Sequence, residues 1–115
     1  MSTLPDITNY HAHLYFSAGE ETERARALRD RAAAHFGDRV GVGGFHERPV
    51  GPHPRGSCQL SIAPGDFEEA LVWLASNRAG VTLFCHLNTG QHLLDHTEHV
   101  VWLGESEALN LDVFR

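Results

Sequence analysis

The sequence predicts an α+β fold, an antiparallel sheet with two helices on one face. Three observations lead there. Four short stretches read as strands, and the first, third and fourth alternate apolar and polar residues with a period of two. Two longer stretches repeat apolar residues at helical spacing. Their order is β-α-β-β-α-β, which is the ferredoxin-like arrangement.

Taken in order, Met1–Thr8 is a short lead-in, and the first strand covers Asn9–Phe16. Tyr10, Ala12, Leu14 and Phe16 fall on one face, and His11, His13 and Tyr15 on the other. A helix follows over residues 19–36, with Ala25, Leu28, Ala32 and Phe36 as its buried stripe. Glu20, Glu21 and Glu23 suit its positive end, Glu20 can pair with Arg24 one turn on, and Gly37 stops it. Residues 40–45, VGVGGF, form a glycine-rich strand. No helix and acidic partner follow, so this is no dinucleotide fingerprint. Its glycines permit a bulge or a close backbone approach.

Residues 46–56 form a loop that holds three of the five prolines, and His53 sits between two of them. Proline fixes its own φ and restrains the residue before it, so this loop is stiff. A third strand covers residues 57–63, with Cys58, Leu60 and Ile62 on one face and Ser57, Gln59 and Ser61 on the other. A second helix starts at Asp66, with Glu69 completing a capping box, and buries Phe67, Ala70, Leu71 and Leu74. Gly80 ends it. In the fourth strand, residues 81–87, Val81, Leu83 and Cys85 oppose Thr82, Phe84 and His86. The parities agree across three strands. The apolar sets fall under the helices, and His11, His13, Gln59 and His86 fall together on the uncovered face. Residues 91–103 read as a helix with His92, His96 and His99 on one side, and residues 109–114 as a closing strand.

Composition bounds the function. At 115 residues the chain suits one domain, residues 1–115, with one core. The formal charge of −6 argues against a nucleic-acid partner or an anionic membrane surface. No basic-hydrophobic leader and no bilayer-length apolar run are apparent, so a cytoplasmic location is expected. Cys58 and Cys85 lie in apolar strands and are expected to be buried free thiols. Nine histidines are the oddity. Histidine is the commonest metal ligand, and His13 and His86 share a sheet face. An open sheet face in so small a domain invites a second copy, so a homodimer is expected.

Three stretches carry a resemblance: YHAHLYF at 10–16, RPVGPHP at 48–54 and HLNTGQHLLDHTEHVVWLG at 86–104. With their spacing they resemble the DOPA 4,5-dioxygenase family of small extradiol-type enzymes. The resemblance implies oxidative opening of a catechol ring, such as that of L-DOPA, with O2 at a histidine-bound metal. The family's motif positions map onto His13, His53, His86 and His96. His13, His53 and His86 are the metal candidates. His96 and His11 are the candidates for acid–base or orienting work. Tyr15 could reach a substrate hydroxyl, and Arg48 and Arg55 a substrate carboxylate. Glu47 or Glu98 would supply a carboxylate if the site were a two-histidine, one-carboxylate triad. Fe(II) suits the chemistry, and Zn(II) suits the donors. The competing functions are a non-enzymatic dimeric module that binds a metal or a small aromatic ligand, and a cofactor-free oxygenase.

Overall fold

The computed structural model describes residues 4–115. The lead-in expected over residues 1–8 therefore lies in part outside the described residues. The chain folds as β1 (Asn9–Phe16), α1 (Glu20–Phe36), β2 (Val40–His46), β3 (Gly56–Ile62), α2 (Phe67–Asn77), β4 (Thr82–Asn88), α3 (His92–Thr97) and β5 (Val100–Leu103). The five strands form one antiparallel sheet in the order β2-β3-β1-β4-β5. This is the ferredoxin-like α+β core with a fifth strand added beside β4.

The period of two in β1 does what it foretold. Ala12, Leu14 and Phe16 enter the core with Ala25, Leu28, Ala32 and Phe36 of α1 and Ala70 and Leu74 of α2. Leu60, Ile62, Leu83 and Cys85 complete that layer from β3 and β4. Removing such surfaces from water is the main favourable term holding the layers together. Cys58 and Cys85 are buried and unpaired, as expected. Glu20 and Arg24 pair at 3.2 Å on the outer face of α1.

A bulge does fall at the β2 glycines: the pairing with β3 shifts between Val42 and Phe45. Gly56 has a different purpose. A Cβ there would lie 2.6 Å from the Phe16 ring and 2.9 Å from the Phe16 carbonyl oxygen, so only glycine admits this approach of β3 to β1.

Three expectations need correcting. The helix read over residues 91–103 stops at Thr97, and Val100–Leu103 is a strand. Its β-branched and aromatic residues favour an extended backbone, and the open edge of β4 supplies the pairing, Phe84 opposite Trp102 and His86 opposite Val100. The closing strand at 109–114 is instead a short 3-10 helix, Leu111–Phe114, whose first turn is capped by the Asn110 side chain accepting from the Asp112 amide. The capping box at Asp66 does not form. A 3-10 turn, Pro64–Asp66, leads into α2, and both acids turn to Arg39, with Glu69 accepting at 2.8 and 3.0 Å.

The sheet face away from α1 and α2 is not bare. Chain segments cover it, and His13 and His86 are 3% and 1% exposed within a single copy. The shelter that suggested a second copy is thus supplied by the chain itself. Among the described residues no helix is long and apolar enough to cross a membrane.

Candidate metal centre

β1 and β4 carry the heart of the site. Antiparallel register sets His11 opposite His86 and His13 opposite Phe84. All three imidazoles rise from the same sheet face. His13 Nε2 and His86 Nε2 stand 3.1 Å apart. One ring nitrogen from each of His11, His13 and His86 lies within 4.8 Å of the other two. Among the described residues this is the one such group of possible donors, and it contains no carboxylate. Glu47 and Glu98 are both exposed and outside it.

The second ring nitrogens decide what the first ones can do. A carbonyl oxygen only accepts, so His86 Nδ1–H donates to the Leu87 carbonyl at 2.9 Å and leaves Nε2 as an acceptor, which in the metal-free chain takes the hydrogen bond from His13 Nε2–H. His96 Nδ1–H likewise donates to the His92 carbonyl at 2.7 Å. Backbone anchoring of the second nitrogen is how metal-binding histidines are usually oriented. The Gln59 amide donates to His11 Nε2 at 3.3 Å. Burial holds the rings neutral. It pushes His86 down to about 4 against the partial opposition of the Leu87 carbonyl, and the nearby His96 adds to the effect. His13 falls well below its usual value, first by burial and then by His53, His86, His11 and His96 around it.

His53 reaches the cluster from the proline-rich loop. Its ring centroid lies 4.1 Å from that of His13. Its Nδ1 is 2.7 Å from the Tyr15 hydroxyl. Among the described residues Tyr15 has no other acceptor, so its hydroxyl donates to Nδ1 and the His53 proton resides on Nε2. Burial raises the Tyr15 pKa, which keeps that proton on the hydroxyl, and lowers His53 to about 4. Among the described residues His11, and not His53, has a ring nitrogen within 4.8 Å of those of both His13 and His86.

His96 packs against His86 from α3, ring centroids 4.1 Å apart. Phe114 lies over its other side at 4.4 Å. His92 is exposed, and His99 falls beyond the end of α3, where Nδ1 donates to Asp95 at 2.8 Å. Buried Asp95 also accepts from the Thr89 amide and hydroxyl, both at 2.7 Å, and so ties the turn after β4 to α3. Arg55 is engaged elsewhere. It donates twice to Glu107, at 3.0 and 2.7 Å, and once to Glu21 at 2.7 Å. Arg48 is exposed and unpaired among the described residues. Neither arginine is brought into the imidazole cluster. Sequence reasoning did not single out the aromatic wall of Phe84, Trp102 and Phe114; Phe84 and Trp102 stack at 4.6 Å beside the site. Phe84 shares a strand face with His86, which was the available signal.

The donor set fits a metal ion. Two ligands about 2.1 Å from one ion, at about 90–110° to each other, stand about 3.0–3.4 Å apart, and the His13–His86 separation is 3.1 Å. Neutral imidazoles are the form that binds metal, and an ion would take the place of the His13–His86 and Gln59–His11 hydrogen bonds.

The chain is 32% identical over 92% of its length to a DOPA 4,5-dioxygenase of Amanita muscaria. It is 30% identical over 96% of its length to an "Uncharacterized 21.2 kDa protein" of Botryotinia fuckeliana. It spans 49% of the first relative and 62% of the second. Its fold matches the crystal structure of a "putative dioxygenase" from Nostoc punctiforme PCC 73102 with a TM-score of 0.79 and 35% identity, over 93% of this chain and 90% of that one. Residues 10–113 match the Dopa 4,5-dioxygenase family, and the chain belongs to that family.

Proposed function

We propose that the protein is a metal-dependent dioxygenase that opens the ring of a catechol such as L-DOPA by extradiol cleavage. The observation that carries this reading is the convergence of His11, His13 and His86, from two adjacent strands, within 4.8 Å, with His13 and His86 buried and His11 half-buried. His13 and His86 are the principal ligands, and His11 is the third by distance. Fe(II) is the ion the chemistry calls for, and Zn(II) would suit the same donors. When bound, Fe(II) lowers the pKa of the diol and supplies the electrons that activate oxygen.

The chain's own residues do the remainder. Three neutral imidazoles contribute no negative charge, so the site favours an anionic diolate over a neutral diol. His53 offers an N–H at Nε2, held in that tautomer by Tyr15. His96, beside His86 and anchored through Nδ1, presents a free Nε2 lone pair that can take a proton. Phe84, Trp102 and Phe114 exclude water from this side. Geometry supports substrate-carboxylate binding at neither Arg48, which is exposed, nor Arg55, which is held by Glu107 and Glu21.

The test is direct. The chain is loaded with Fe(II) without air, then mixed with L-DOPA or caffeic acid in air. A yellow ring-opened product is expected. Iron uptake without any absorbing product across a panel of catechols would sink the proposal.

A further inference from the structure

A cavity of about 170 Å3 adjoins the imidazole cluster. It lies between the β2 bulge and the proline-rich loop, and His13, Gly43, Gly44, His53, Ser57 and Gln59 are among its lining. Its floor is buried, with His13, His53 and Ser57 each under a tenth exposed, while Gly43, Gly44, His46 and Val50 at its mouth meet solvent. We infer that this cavity is the substrate pocket, that it takes the ring of a single-ring ortho-diol and leaves other substituents outside, and that Gly43 and Gly44 set its size. The inference rests on the dioxygenase reading and adds where the ring goes and what limits it.

Three observations support it. The volume is well under the roughly 300–1,000 Å3 typical of drug-sized sites, so it suits one ring and not two. No arginine or carboxylate lines it, so recognition falls on the ring and its oxygens and not on a charged arm. Finally, neither Gly43 nor Gly44 has a positive φ, so backbone freedom does not call for glycine at either place. Space does. A Cβ at Gly43 would lie 3.3 Å from the Gln59 carbonyl oxygen and 3.4 Å from the Gln59 Cβ, and one at Gly44 would lie 3.0 Å from the His46 ring. Gln59 and His46 both line the cavity. A larger open groove, about 530 Å3 along α2 and lined by His35, Trp73, Val72 and Ser76, includes none of the clustered histidines His11, His13, His53, His86 and His96.

The experiment follows backbone amides of the 15N-labelled, Zn(II)-saturated chain by NMR while catechol is added. Zn(II) is diamagnetic and cannot turn the substrate over. Shifts are expected at Gly43, Gly44, Ser57 and Gln59, with Val72 and Ser76 unmoved. Gly43→Ala and Gly44→Ala should each weaken catechol by at least about fivefold through lost space. L-DOPA should bind within about threefold of catechol, since the lining holds no charge for its arm. No shifts, shifts confined to the α2 groove, or a preference for L-DOPA above about fiftyfold would overturn the inference. Turnover by the Fe(II)-loaded chain is scored apart. Shifts in the pocket without turnover would sink the dioxygenase reading and keep the pocket, and turnover with shifts elsewhere would do the reverse.

Discussion

His13 and His86 are diagonal neighbours in the sheet, not opposite ones: His86 faces His11 across the β1–β4 ladder, and His13 faces Phe84. Diagonal side chains on one face of an antiparallel pair are within reach of each other when they are long. Their rings incline at 18° and bring the two Nε2 atoms to 3.1 Å. Two strands pinned by backbone hydrogen bonds fix that spacing. It does not depend on a loop.

Removing either ring should therefore cost the metal and spare the fold. His13→Ala and His86→Ala are each expected to weaken Zn(II) by at least about 100-fold, more than the loss of an outer contact usually does. Competition with a chromogenic chelator measures this, and circular dichroism checks the fold. Unchanged affinity in both variants would remove the two residues from the ligand set.

The same buried rings make the metal-free chain sensitive to acid. His53 and His86 are lowered to about 4 in the fold, and burial lowers His13 in the same direction, against about 6.5 when unfolded. Below about 6.5 the unfolded chain binds protons that the folded chain refuses, so stability falls as pH falls. It is expected to be intact at pH 7 and to decline from about 6.5 until the folded groups titrate near 4. Urea midpoints at several pH values, with chelator present, read this out. A midpoint that stays level from pH 7 to 4.5 would contradict the burial of neutral imidazoles.

Asp95 holds the approach to α3, where His96 sits. It accepts from the Thr89 amide, the Thr89 hydroxyl and His99, and is 1% exposed. Asp95→Ala leaves those donors without their acceptor and is expected to cost about 2–3 kcal/mol. Chemical denaturation gives the value. A loss under about 0.5 kcal/mol would mean that water replaces the carboxylate freely.

Gly56→Ala tests the packing of β3 on β1. The new methyl meets the Phe16 backbone oxygen as well as its ring, and the backbone cannot swing away. A loss of about 1–3 kcal/mol is expected. No change in thermal midpoint would show that the strands separate easily there.

The sheet and its two faces were legible because period two marks both sides of a strand at once. Ala12, Leu14 and Phe16 declare the core, and His11 and His13 declare the opposite face. Elements that depend on distant partners were not legible. His92, His96 and His99 step as helical residues do, but Val100–Leu103 becomes a strand by pairing with the edge of β4. Asp66 and Glu69 look like a capping box until Arg39 arrives from the other end of α1. Of the candidate site, the strand-borne His13 and His86 could be read from parity. That His11 has a nitrogen close to those of both could not, because it depends on the register that sets His11 opposite His86.

The most direct test of the metal centre is anomalous scattering from crystals of the Fe(II)-loaded chain, collected above and below the iron edge. The expected result is one strong peak about 2.1 Å from both His13 Nε2 and His86 Nε2, with a His11 nitrogen close by. A fully loaded chain whose iron lies elsewhere, with those two rings still bonded only to each other, would contradict it.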